Sequence, residues 1–365
     1  IFACFSLVVR HINFYVAIKF KVKTKTKICF CEYKIIWKKF VLFFGGQSPE
    51  HDVSIITGMQ CAKFLQSKFD VEKVYLGLDN KFYYATDIED LTFFANKSAI
   101  KLKPVLFCNG LLKKSIGYKK VCDIKCVVNC CHGGVGENGS LAGFFETVGV
   151  PCTSTSALTA GITMDKNLTK QLVQDVATTA KGVLVSKQNY LTAVEQIKTD
   201  FANHLIVKPN ALGSSIGVKA CTKQNFKNQI FAIFEMNDNA LVEEKIEPMI
   251  ELNQACYKKD GELVLSAIEQ PISKQDFLTF DEKYRHDGKS KAKDRIIPAQ
   301  ISNALEEQIC NTTKNIYLHL NLNGVVRIDY MFNANTNTLY FNEVNTIPGS
   351  LAFYLFDLQT EHSSF

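Results

Sequence analysis

The 365-residue chain carries 42 Lys and Arg against 36 Asp and Glu, is 47% hydrophobic and holds 13 Cys. That length predicts two or three domains with sizeable cores, and the mix of apolar and charged residues excludes a disordered or collagen-like chain. No run of about 18 uninterrupted apolar residues occurs, which argues against a transmembrane helix, and an odd cysteine count predicts mostly free thiols in a reducing compartment.

Residues 1–37 form a basic leader. Residues 1–39 contain nine basic residues and one acid, a charge of +8 that leaves −2 for the rest of a chain totalling +6. The body is therefore slightly acidic and offers no electrostatic footprint for nucleic acid. The leader's apolar stretch precedes its lysines, the reverse of a secretory signal. It is open to reading as an edge strand, a targeting arm or incidental translated sequence, and no catalytic role is expected of it.

The body opens on Lys38-Lys-Phe-Val-Leu-Phe-Phe-Gly-Gly46, an apolar run that predicts a buried strand. Ser48-Pro-Glu-His-Asp-Val-Ser54 supplies helix-start chemistry. Further strands are expected at Val71–Leu78 and Asp123–Cys131, with a helix at Leu141–Val148, so the first lobe, 38–153, reads as a mostly parallel α/β unit. Between those last two elements Gly134-Val-Gly-Glu-Asn-Gly139 matches a dinucleotide fingerprint, yet no acid stands about 20 residues on, and Glu137 would oppose a pyrophosphate. Cys122, Cys126, Cys130, Cys131 and His132 invite a zinc reading, but they lack a second distant pair, and buried core cysteines are the expectation.

A central lobe, 154–243, is predicted to begin with a helix over Ala157–Ala177. Strands at Gly182–Val185 and His204–Lys208 follow, then a small-residue loop, Ala211-Leu-Gly-Ser-Ser-Ile-Gly217. That loop reads either as a plain turn or as a cover for phosphate, with Lys208 as the point charge. Leu241-Val-Glu-Glu-Lys245 ends an apolar run with acids suited to a ribose or an adenine amino group.

The third lobe, 244–365, holds a helix near Asn303–Leu318 and a hairpin pairing Gly324–Phe332 with Thr338–Asn345. Strand alternation puts Arg327 with Asp329 on one face, and Glu343 with Asn345 on another. The converging oxygens suit Mg²⁺, and the guanidinium suits a phosphate or an oxyanion. A solvated face with a surface ion pair is the alternative.

Together these segments resemble the ATP-grasp superfamily, and within it the D-alanine–D-alanine ligase family. The motifs are Phe44–Ser54, His132–Gly139, Thr163-Met-Asp-Lys166, Val207–Gly217, Glu282-Lys-Tyr284, Arg327-Ile-Asp329 and Asn342–Gly349, in the family's order. The resemblance implies an α/β fold with an N-terminal Rossmann-like domain and two lobes gripping ATP. It also implies ligation of two D-alanines through an acyl phosphate for peptidoglycan synthesis, in a cytoplasmic homodimer with no nucleic-acid or membrane partner. It assigns the first substrate's ammonium to Glu50, closure of the mobile loop to Glu50, Ser214 and Tyr284, and the oxyanion to Arg327 and the Gly349 N–H. Lys166, Lys208, Ser215 and Lys283 would hold ATP phosphates, Glu244 and Glu251 adenine and ribose, and Asp329, Glu343 and Asn345 two Mg²⁺ or Mn²⁺. His132 and Ser350 would lie near the second substrate. Relatives that form a D-lactate ester commonly carry His where Tyr284 stands, so the dipeptide is expected; a ligase for D-serine or D-lactate, or a non-catalytic ATP-binding module, are the alternatives. Asn138 replaces the family's usual Asp, Ser350-Leu-Ala-Phe-Tyr354 departs from the usual Thr/Ser-rich continuation, and the family's closing helix has no counterpart.

Overall fold

The computed structural model describes residues 38–89, 92–95, 102–108, 111–114, 117, 119–272 and 295–357. The first lobe consists of β1 (Lys38–Gly45), α1 (His51–Gln66), β2 (Val71–Leu76), β3 (Phe82–Tyr84), β4 (Lys103–Cys108), β5 (Leu111–Lys114), β6 (Lys120–Asn129) and α2 (Ser140–Thr147). Its six strands close into a barrel. Only β1–β2 and β1–β6 pair in parallel, whereas β2–β3, β3–β4, β4–β5 and β5–β6 are antiparallel. The expectation of a mostly parallel unit is thus corrected. Strands as short as β3 carry too little periodicity to announce themselves, and they close the edge that an open sheet would expose. The run in β1 is apolar throughout because both its faces are covered. Phe40, Leu42 and Phe44 pack with Ile55, Ala62 and Leu65 of α1, while Val41 and Phe43 pack with Leu141 and Phe145 of α2.

The single helix expected over Ala157–Ala177 is two, α3 (Ala157–Met164) and α4 (Lys166–Leu172), followed by a 3₁₀ turn at Val173–Asp175. Asp165 breaks it. Its backbone is extended (φ −83°, ψ 104°), and its side chain accepts from Leu168 N, capping α4. Next come β7 (Gly182–Val185), α5 (Tyr190–Asp200), β8 (His204–Pro209), β9 (Lys219–Thr222), α6 (Phe226–Glu235) and β10 (Ala240–Glu244). They form a sheet in the order β7-β10-β8-β9. Helices α5 and α6 cover one face, through Val194, Ile197, Ile230 and Ile233 against Leu205, Val207, Ala240 and Val242.

A second sheet, β13-β12-β11-β14-β15, is built from β11 (Ile250–Lys259), β12 (Glu262–Pro271), β13 (Arg295–Ile296), β14 (Val326–Asn333) and β15 (Thr338–Asn345). Helix α7 (Asn303–His319) covers one face, burying Ile309, Ile316 and Tyr317 against Leu252, Ile328, Tyr330 and Phe341. A short α8 (Phe353–Asp357) ends the described chain. Cys122, Cys126, Cys130 and Cys131 are buried in the first lobe's cores. Burial pushes the Cys122 and Cys126 thiols up to about 12. Among the described residues no helix is long and apolar enough to cross a membrane.

Candidate active site

The uncovered faces of the two sheets bound a cleft of about 640 Å³. On β14 the even residues Ile328, Tyr330 and Phe332 pack under α7, so Arg327, Asp329 and Met331 face away from that core. Strand β15 begins with Leu339 and Phe341 on the α7 side, and unbroken alternation would bury Glu343 and Asn345 beside them. It does not. Asp329 pairs with Glu343 and Tyr330 with Phe341, so β15 holds one residue, Asn342, with no partner on β14. This bulge reverses the strand's parity. Val344 enters the core, and Glu343 and Asn345 turn to the face of Asp329 and Arg327.

Two carboxylates, an amide and a guanidinium therefore converge. Arg327 grips Asp329 with both arms of its fork, Nε–Oδ1 at 2.7 Å and Nη2–Oδ2 at 2.8 Å. Asn345 Nδ2 donates to Asp329 Oδ2 at 2.9 Å. Burial opposes the Arg327 charge, but Asp329 outweighs it and raises the guanidinium well above its usual range. Lys166 Nζ stands 3.3 Å from Glu343 Oε2 and donates to Leu212 O at 2.7 Å. Lys208 Nζ lies 2.6 Å from Glu243 Oε2 and donates to Asn342 Oδ1 at 3.1 Å. Lys166, Lys208, Ser215, Glu251, Asp329 and Glu343 all line the cleft.

Glu244 also reaches its wall, but the carboxylate accepts from Ala202 N at 2.9 Å. Glu243, which sequence reasoning passed over, is the buried partner of the lysines. Val242 on β10 points to the helices, and alternation sends Glu243 the other way. Lys283 and Tyr284 lie outside the described residues.

Beyond the hairpin, the first lobe contributes Glu50 at the start of α1. Ser214 Oγ, on the loop between β8 and β9, donates to Glu50 Oε1. Ser214 and Ser215 both adopt left-handed backbone (φ 54° and 57°), costing roughly 1–2 kcal/mol each. Two glycines admit the carboxylate: a Cβ at Gly133 would sit 2.5 Å from Glu50 Oε2, and one at Gly213 3.0 Å.

His132 is buried, and its Nε2 lies 2.8 Å from Thr57 Oγ1. Burial lowers its imidazole to about 4. Thr57 Oγ1 accepts from Ser350 N at 3.1 Å, and Ser350 Oγ donates to Gln60 Oε1 at 2.8 Å. Thr57, which gave no sequence signal, thereby joins His132 to Ser350. Gly349 opens the 3₁₀ turn that carries Ser350.

The fingerprint loop is a single helical turn, Gly134–Glu137. Its own Glu137 takes the N–H of Gly133 at 2.9 Å and of Ile347 at 3.1 Å. Burial, then the charge of Glu50, pushes this carboxyl up to about 8. Asn138 Oδ1 accepts from Ser140 N at 3.0 Å, so the amide makes the same short turn that a carboxylate oxygen would. Chemically, the cleft offers hard oxygen donors on one strand pair and ammonium groups opposite, an arrangement suited to a polyphosphate with a divalent cation.

Family models described as D-ala D-ala ligase N-terminus and D-ala D-ala ligase C-terminus match residues 39–155 and 173–363. A D-alanine--D-alanine ligase of Helicobacter pylori (strain P12) is 34% identical over 327 residues, covering 87% of this chain and 90% of that protein. One from Thermosipho africanus is 34% identical over 335 residues, covering 87% and 88%. Among solved structures, the Helicobacter pylori D-alanine-D-alanine ligase superposes with a TM-score of 0.73 at 28% identity, covering 88% of this chain and 95% of its own. The VanG D-Ala:D-Ser ligase of Enterococcus faecalis gives 0.74 at 27% identity, covering 86% and 91%.

Proposed function

This chain belongs to the D-alanine–D-alanine ligase family, and from that premise we propose that it joins two D-alanines at the expense of ATP, with its lobes bounded at 38–153, 154–243 and 244–365. The observation that carries the reading is the bulged hairpin, which turns Asp329, Glu343 and Asn345 to one face opposite Lys166 and Lys208. Nucleotide phosphates lie along the two lysines and Ser215, with Glu251 toward the ribose. Two carboxylates and an amide oxygen fit Mg²⁺ or Mn²⁺. Bound there, the cation would neutralise charge on the transferring phosphoryl group.

Glu50 takes the ammonium of the first D-alanine and aims its carboxylate at the γ-phosphate. Attack there yields a D-alanyl phosphate and ADP. Ser214, bonded to Glu50, holds the small-residue loop over the site and excludes water that would hydrolyse this intermediate. The second D-alanine binds near His132 and Ser350, and its amine displaces phosphate. Arg327 and the Gly349 N–H stabilise the tetrahedral oxyanion, a role worth about 3–4 kcal/mol per donor in comparable sites. The family resemblance also supports a homodimer in the cytoplasm.

The test is phosphate release by the purified chain with ATP, Mg²⁺ and D-alanine, with the dipeptide identified by chromatography. D-Serine and D-lactate are offered as rival acceptors. Turnover with D-alanine alone is expected; preference for another acceptor, or nucleotide binding without turnover, overturns the reading.

A further inference from the structure

Behind the lysine wall of the cleft lies a buried row of three charges, and the proposed function uses only its outer end. Glu243 Oε2 meets Lys208 Nζ at 2.6 Å, while its Oε1 meets Lys170 Nζ at 2.8 Å, with all three side chains no more than 7% exposed. Lys170 comes from α4, one turn after Lys166. Its ammonium also donates to Phe341 O on β15 at 3.3 Å, beside the bulge that aims Glu343. The row thus links α4, β10, β8 and β15 inside a low-dielectric wall. Burial lowers the Lys170 ammonium to about 8 against the pull of Glu243. Burial also disfavours the Glu243 charge, but the two lysines prevail and hold it down to about 2. In space the row runs Lys170, Glu243, Lys208, with the carboxylate between the two amines.

One carboxylate shared between two ammonium groups leaves a net positive charge on the wall. Without Lys170, Glu243 and Lys208 would close into a neutral pair, and Lys208 would present little field to an incoming polyanion. We propose that Lys170 is a positioning residue for the nucleotide: by occupying one oxygen of Glu243 it keeps Lys208 available to the phosphates. This rests on the reading that the cleft takes ATP.

The test is calorimetric titration of the full chain with Mg²⁺ and the non-hydrolysable analogue AMPPNP, and separately with D-alanine. Wild-type protein that fails to bind the analogue sinks the nucleotide reading and this inference with it. If wild type binds, K170M is expected to bind the analogue roughly ten- to thirtyfold more weakly, with D-alanine affinity unmoved and K170R largely restoring the loss. Replacing Glu243 as well, in K170M/E243Q, frees Lys208 and returns affinity to near wild type, which loss of packing alone would not do. Equal binding by K170M and wild type, or a double variant as weak as K170M, overturns the inference while leaving the ligase reading intact. Should K170M fail to fold, the double variant, which removes opposite charges together, carries the test, and a loss of more than tenfold overturns it.

Discussion

His132 is held neutral by burial, which lowers its imidazole from 6.5 to about 4. The unfolded chain takes up a proton below about pH 6.5 that the folded chain refuses until about pH 4. The stability this residue supports is therefore complete above pH 6.5 and is lost as the pH falls toward 4, by up to about 3 kcal/mol. His132→Gln, uncharged at every pH, is expected to narrow the gap between its unfolding curve and the wild type's as urea titrations move from pH 7 to pH 4; a constant gap contradicts the assignment. Gly133, next in sequence, is constrained differently. Its φ of +64° and the 2.5 Å separation between an added Cβ and Glu50 Oε2 leave no place for alanine without moving that carboxylate. Gly133→Ala should lower kcat/KM for D-alanine by about 100-fold, with a much smaller change in AMPPNP affinity. Unaltered D-alanine kinetics would separate Glu50 from substrate binding. At this scale the sequence spoke through motif residues, and it was silent where only a face decides. Whether Glu243 or Glu244 meets the lysines depends on which side of β10 the helices cover.

The β14–β15 hairpin and α7 could be read from alternation and a helical period because each has one apolar face. The barrel's three-residue β3 and the break at Asp165 could not, since three residues carry no period and the apolar pattern of 157–177 runs straight through the cap. The bulge left a trace, apolar positions at 339, 341 and then 344, visible only once a partner strand fixes the register. Its role is open to direct test. Deleting Asn342 makes Phe341 and Glu343 neighbours opposite Tyr330 and Asp329, so strict alternation then keeps Glu343 and Asn345 on the face of Asp329 and Val344 in the core. Mg²⁺–AMPPNP binding is therefore expected to survive the deletion with a loss of only a few-fold. Asn342→Ala keeps the bulge and removes only the acceptor 3.1 Å from Lys208, so its affinity should fall just a few-fold, in line with one hydrogen bond of about 1 kcal/mol. Loss of detectable binding on deletion alone would mean that the bend of the bulge itself, and not only the faces of the residues after it, positions the carboxylates.

Across the whole molecule, barrel and sheets meet around the cleft through a few polar contacts: Ser214 with Glu50, Ile347 with Glu137, Ser350 with Thr57 and Gln60. A nucleotide held by Lys208 of one sheet and Lys166 of α4, and through a cation by carboxylates of the other sheet, adds a link that the unfolded chain cannot form. Mass action then stabilises the fold by about 2.7 kcal/mol when the ligand stands at 100 times its Kd, or a rise in Tm of several degrees. The rise should require ADP and Mg²⁺ together. ADP alone leaves its phosphates facing Asp329 and Glu343, and Mg²⁺ alone must displace Arg327 and Lys166 from those carboxylates. D329A/E343A/N345A is expected to show no rise with the pair. A full Tm shift in that variant, or one in wild type that ignores Mg²⁺, would mean that the nucleotide sits on one sheet only and that the hairpin plays no part in holding it.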